Sequence, residues 1–137
     1  MMLNRLFNKD APERDDGLVQ VAKVTELNPH KLKRVVVEGQ PILLVLLEKA
    51  TQNSNLVIVA FSSICPHALG DLSQGYLTKA EIDCPVHYYR FDIRTGACNY
   101  PKDGPKLRIY PVIIEGNDVL LKIEKPKWME QADDEMS

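Results

Sequence analysis

The chain has 137 residues, a formal net charge of −2, three cysteines, three histidines and an apolar fraction of 45%. That is the make-up of one globular domain with a core of ordinary size. The near-neutral balance excludes a basic nucleic-acid-binding face, since bases gather no further than Lys31, Lys33 and Arg34, and the longest apolar run, 42–47, is far short of the ~20 residues a spanning helix needs.

In chain order, residues 1–17 are polar and charged, broken by Pro12 and Gly17, and read as a flexible N-terminal arm with room for a short helix around 4–9. The first ten residues have neither an apolar h-region nor a small-residue cleavage site, so a secretory signal is not expected there. A cytoplasmic location is the expectation, with the cysteines reduced and not a disulfide framework. Residues 18–27 alternate loosely and are rich in β-formers, and Asn28-Pro29-His30 marks a turn. Strands at 34–37 and 41–48 flank Glu38-Gly39-Gln40, a hairpin connection. A polar turn over 50–55 leads to a strand at 56–61, and residues 62–105 carry many turn formers. A last pair, 107–114 and 119–123, closes around Glu115-Gly116-Asn117-Asp118. Pro126 then interrupts the chain, and residues 126–137 form an acidic, solvated tail in which Glu130, Asp133, Asp134 and Glu135 meet no base beyond Met129. Short strands separated by Gly, Pro and Asn, with no long amphipathic helix, predict an all-β, antiparallel sandwich or barrel.

Chemistry concentrates in two short motifs, Cys65-Pro66-His67 and Cys84-Pro85-Val86-His87, separated by sixteen residues, 68–83. Each sets one thiolate and one imidazole at the tip of a turn stiffened by proline. Soft sulfur with imidazole suits zinc or an iron–sulfur cluster and not Mg²⁺ or Ca²⁺. A mononuclear zinc needs all four ligands within ~2.0–2.3 Å of one ion, whereas the single-residue gap between Cys65 and His67, read as extended chain, separates the two side chains along one side. That spacing favours a binuclear centre, with a structural zinc module as the colourless alternative.

The stretch from Cys65-Pro66-His67 through Gly70-Asp71-Leu72 to Tyr76-Leu77, then Cys84-Pro85-Val86-His87-Tyr88-Tyr89-Arg90-Phe91 to Thr95-Gly96, closely resembles the Rieske domain, most of all the soluble Rieske ferredoxins. The resemblance implies a sandwich base, here 18–125, with an inserted cluster-binding subdomain at about 62–100. It implies one 2Fe–2S cluster, with Cys65 and Cys84 on the inner iron and His67 and His87 on the outer one. It also implies a covering proline loop, for which Pro101-Lys102-Asp103-Gly104-Pro105 is in place. The family's high-potential branch ties its two loops with a disulfide, at positions where this chain has Gly70 and Val86. That branch also places hydroxyl donors on the cluster sulfurs, at positions held here by Tyr89 and Phe91. Fewer such hydrogen bonds imply a lower potential.

Cys98 has no ligand slot left and reads as a structural thiol. His30 reads as a solvated turn residue and Trp128 as a packing residue. Tyr76, Tyr88 and Tyr89 are placed either to shield the cluster or to face a partner, and Ser62-Ser63 lack a hydrolytic His–acid arrangement. A catalytic oxygenase subunit also needs a two-histidine, one-carboxylate iron site, for which only His30 remains. The resemblance therefore implies an electron carrier between a flavoprotein reductase and a terminal oxygenase, more than a catalyst by itself. The alternative is a small Rieske subunit of a larger reductase such as assimilatory nitrite reductase.

Overall fold

The computed structural model describes residues 17–53 and 55–123. The arm before Gly17, the acidic tail and Trp128 lie outside the described residues. The described chain forms three antiparallel sheets. The central one begins with the expected hairpin, β1 (Lys33–Val37) and β2 (Gln40–Glu48), whose connection is only Glu38-Gly39. Both turn residues have positive φ, 50° and 80°, the geometry that matches strand twist in a two-residue loop. The third strand, β3 (Val57–Ser62), pairs with β2, and a short strand at Ile109–Tyr110, β4, pairs with β3.

This sheet is buried on both faces, which explains the unbroken apolar run in β2. Ile42, Leu44 and Leu46, with Ile58 and Ala60 of β3, face one core; Leu43 and Val45, with Phe61, face a second. The first core is closed by a three-stranded sheet of β5 (Leu18–Lys23), β6 (Val112–Glu115) and β7 (Asp118–Lys122), in the order β5-β7-β6. The second core is closed by a four-stranded meander inserted between β3 and β4: β8 (Tyr76–Thr78), β9 (Glu81–Asp83), β10 (Arg90–Asp92) and β11 (Cys98–Tyr100). The two sheets around the first core are the expected sandwich base, and the meander is the expected insertion.

Two expected strands are shorter than the sequence pattern. The 18–27 strand ends at Lys23 and continues as a 3-10 turn, Val24–Glu26, where the Lys23 N–H donates to the Glu26 carboxylate at 2.8 Å and Leu27 drops into the first core. The 107–114 strand is divided at Pro111 into β4 and β6, which belong to different sheets. Proline has no N–H to continue a ladder, so the chain changes sheets there at no cost in hydrogen bonds. Tyr110 anchors the step, its hydroxyl donating to Gln40 Oε1 at 2.7 Å.

Gly96 ties the meander to the segment that leads back to the base. Its φ is +83°, its N–H donates to the Asp92 carbonyl at 2.7 Å, and its own carbonyl accepts from the Leu107 N–H at 2.8 Å. A Cβ there runs into the Leu107 carbonyl oxygen. Gly96→Ala is therefore expected to lower stability by about 1–3 kcal/mol, read as a lower urea midpoint; an unchanged midpoint contradicts the close approach.

Candidate metal centre

The two motifs form a pair of loops with the same backbone plan. In the first, the Cys65 N–H donates to the Gly70 carbonyl (2.8 Å) and the Leu69 N–H to the Cys65 carbonyl (2.9 Å). In the second, the Cys84 N–H donates to the Tyr89 carbonyl and the Tyr88 N–H to the Cys84 carbonyl, both at 2.8 Å. Each cysteine thus closes its own turn through residues four and five further on. The segment after Cys65 is a tight turn, not the extended chain from which the spacing argument started. Closing so tight a turn needs a left-handed residue, and Leu69 (φ 56°) and Tyr88 (φ 61°) supply it. Neither is glycine, so each conformation costs about 1–2 kcal/mol.

The loops sort their candidate ligand atoms by solvent. Cys65 and Cys84 are fully buried in the second core with Phe91, Leu72 and Ile82, while His67 and His87 are exposed. The imidazoles meet through their Nδ1 atoms, 3.5 Å apart, with ring centroids at 4.9 Å and planes at 69°. Two nitrogens bound tetrahedrally to one metal ion at ~2.0–2.1 Å lie about 3.4 Å apart, so this pair is spaced as two ligands of a single ion. The thiols form a second pair: burial pushes the Cys65 thiol up from its ordinary value, with the neighbouring Cys84 acting in the same direction, against backbone N–H groups of Ala68 and His67. Among the described residues no three His, Cys, Asp or Glu side chains gather around one point. The arrangement is a sulfur pair inside and a nitrogen pair outside, the donor set of a binuclear cluster more than of one zinc ion.

Other residues hold the loops in place. The Asp71 carboxylate accepts from Ser73 N–H (2.9 Å), Ser73 Oγ (2.7 Å) and Ser63 Oγ (2.9 Å). The Ser73 hydroxyl and the other donors keep its pKa below the usual carboxylate value. The Asp71-Leu72-Ser73 spacing is a legible capping signal, but which loop it braces depends on Ser63 arriving from the other side. At the second loop, Asp83 and Arg90, cross-strand partners on β9 and β10, form a bidentate pair at 2.8 and 3.3 Å beside Cys84. Tyr89, which the sequence left between shielding and docking, stacks on His67 with centroids 3.8 Å apart and planes at 15°. Its carbonyl closes the second loop while its ring braces the histidine of the first, so it couples the two. Cys98 stays out of the centre, its thiol 3.1 Å from the Pro101 carbonyl and 3.4 Å from that of Tyr100. It thereby anchors the start of the 101–105 loop. His30 is exposed, at a turn where its N–H donates to the Leu46 carbonyl, and takes no part.

A three-layer antiparallel fold that presents sulfur and nitrogen pairs on twin loops defines an iron–sulfur protein. The chain belongs to the Rieske [2Fe-2S] domain family, whose model matches residues 17–111, and its cofactor is accordingly one Rieske-type 2Fe–2S cluster. It is 34% identical over 89 residues to the ferredoxin component of the naphthalene 1,2-dioxygenase system of Pseudomonas aeruginosa, covering 65% of this chain and 79% of that one. It is 30% identical over 108 residues, 79% of this chain and 94% of the other, to the ferredoxin component of biphenyl 2,3-dioxygenase of Rhodococcus jostii (strain RHA1). Among solved structures, the ferredoxin of carbazole 1,9a-dioxygenase from Nocardioides aromaticivorans IC177 superposes with a TM-score of 0.66 at 30% identity, covering 80% of this chain and all (100%) of that one.

Gly70 and Val86, the positions where the high-potential branch carries its disulfide, face one another. A Cβ on Gly70 lies 3.7 Å from Val86 Cβ, inside the roughly 3.5–4.5 Å range of disulfides, and Gly70 is outside the left-handed region. The double variant Gly70→Cys, Val86→Cys is expected to close a disulfide across the loops on air oxidation, detected by thiol counting and by a reducible rise in thermal stability. The single Gly70→Cys variant, which presses on Val86 Cγ2 at 2.6 Å, is expected to be less stable than wild type. Free thiols persisting in the oxidised double variant refute the loop geometry.

Proposed function

We propose that Cys65 and Cys84 hold the buried iron of the cluster and His67 and His87 the outer iron. On this reading residues 18–125 are the Rieske domain, with 62–100 as its cluster-binding part. The observation that carries the assignment is the separation of a buried sulfur pair from an exposed nitrogen pair spaced at 3.5 Å. The cluster supplies a one-electron couple. The residues around it do the rest. The apolar cage of Phe91, Leu72 and Ile82 excludes water from the sulfurs, Asp71 and Asp83 fix the two loops, and the edges of His67 and His87 bring the redox group to the surface. A further two-histidine iron site has only His30 to draw on. We therefore read the chain as a one-electron carrier, working in the cytoplasm, that takes electrons from a flavoprotein reductase and passes them to a terminal oxygenase. Its relatives named as ferredoxin components of dioxygenase systems support that direction of flow.

Anaerobically purified protein is expected to hold about two irons and two labile sulfides per chain. Cys65→Ser and Cys84→Ser lose the native cluster. Cys98→Ser keeps the spectrum, because that thiol serves the Tyr100 and Pro101 carbonyls. One zinc without sulfide, or a bleached Cys98→Ser protein, overturns the ligand assignment.

The reduction potential is expected in the lower part of the family range of about −150 to +300 mV. A hydroxyl that donates to a cluster or cysteine sulfur stabilises the reduced, more negative state. Here Phe91 has no hydroxyl, and the Tyr89 ring is engaged face to face with His67. Phe91→Tyr is expected to raise the potential if its hydroxyl reaches sulfur. Protein-film voltammetry near neutral pH compares the two proteins, and a wild-type value well above zero contradicts the low-potential reading.

A further inference from the structure

Open sheets end in edges, and most edges of this protein are blunted. β5 carries a bulge between Gln20 and Ala22, β4 is two residues long and stops at Pro111, and β6 starts directly after that proline. The outer strands of the meander, β8 and β11, have three residues each. β1 is different. Its pairing with β2 runs from Lys33 to Val37 without a shift, it holds no proline, and among the described residues no strand pairs with its outer side. Such an edge is a template for another strand. The hairpin sets which groups it offers. A two-residue turn is flanked by a hydrogen-bonded pair, here Val37 and Gln40, so the β1 residues that bond to β2 are Val37, Val35 and Lys33. Arg34 and Val36 alternate with them and turn their N–H and C=O outward. Pro41, opposite Val36, has no N–H to give, and its carbonyl accepts from Ser63 on the far side. The Val36 side chain is 57% exposed, and Arg34 and Glu38 are exposed on either side of it. On the other face of the strand, Val35 and Val37 line an apolar groove with Val19 and Val21 of β5.

We propose that β1 is a dimerisation edge, which pairs antiparallel with β1 of a second copy of this chain about a two-fold axis and joins the two four-stranded sheets into one. The strand is complementary to itself. Outward-turned residues must meet outward-turned residues, which within the strand sets Val36 opposite Val36, Val36 opposite Arg34, or Arg34 opposite Arg34. The last places like charges together and is unfavourable. In the other two, Arg34 comes opposite or diagonal to Glu38 of the other copy, and the symmetry makes that contact twice. Val36 is buried in the joint, and Val35 and Val37 of the other copy come over the mouth of the groove. Few residues meet, so the dimer is weak and depends on concentration. It needs neither the cluster nor a redox partner, and it stands apart from the carrier function proposed above.

The test is sedimentation equilibrium of the full-chain holoprotein over a concentration series. The wild type is expected to pass from the mass of one chain to that of two as concentration rises. Glu38→Arg and Arg34→Glu, each of which sets like charges together, should weaken association about tenfold or more. The double variant Arg34→Glu, Glu38→Arg should restore it, which a folding defect would not do. Arg34 also acts on the Asp71 carboxylate, so Glu38→Arg, which leaves that end alone, is the cleaner single variant. Val36→Pro removes one outward N–H and no bond of the hairpin, and should leave a monomer with the wild-type visible spectrum. A wild type that is monomeric at every concentration overturns the proposal, whether the edge is then bare or covered by residues 1–16 or 124–137 of its own chain. A dimer indifferent to these changes, or a double variant that stays monomeric, overturns it too.

Discussion

The structure depends on one sheet being buried from both sides. In β2, successive residues alternate between two cores: Ile42, Leu44 and Leu46 to the sandwich base, Leu43 and Val45 to the core that holds Cys65 and Cys84. Each such side chain, fully buried, contributes about 1.5–3 kcal/mol. Because the period of a strand is two, a slip of one residue exchanges every partner between the cores. The hairpin turn at Glu38-Gly39 and the pairing of β2 with β3 therefore fix more than the base. They also fix the side of the second core that the sheet supplies, where Phe61 and Val45 share one buried cluster with Cys65 and Cys84.

From that core the division of the site follows. The cysteines come at the start of each loop, where the chain has just left the sheet or the core, so their sulfurs are packed among apolar side chains. The histidines come two and three residues later, past the tip of a turn, so their rings stand in water. This contrast is what an electron carrier requires. On the proposed ligand assignment, the cage would keep the reduced charge away from solvent and the imidazoles would bring the exchange surface outward. The loops are braced by different means, the first by Asp71 and its serines and the second by Asp83 with Arg90. Tyr89 joins them, closing one loop with its carbonyl and stacking on the histidine of the other.

Membership of the Rieske family sets the cofactor, but the particular side chains around the loops give this member its own character. Gly70 against Val86 leaves the loops without a covalent tie, so their relative position rests on packing and the Tyr89 stack. Phe91 makes the sulfur environment apolar where a hydroxyl is chemically possible. Large residues at the two left-handed positions make the tip of the molecule apolar and bulky.

The sequence by itself pointed to the chemistry: two C-x-H-type motifs with prolines and a sixteen-residue gap favoured soft-metal binding, and alternation with turn formers indicated antiparallel β. It placed the hairpin at Gly39 and the last pair around Gly116 because glycine-bearing turns are local signals. Only the tertiary structure decided matters that depend on what meets from far along the chain. Pro111 divides one apparent strand because the neighbours on its two sides, β3 and β7, belong to different sheets. Asp71 braces the first loop because Ser63 reaches it across the turn, and Tyr89 serves His67 because two loops twenty residues apart share one core. The unbroken run 42–47 could not tell a strand with two buried faces from any other apolar segment. Which residues belong to which core is a property of the layers on either side, and those are set by strands at opposite ends of the chain.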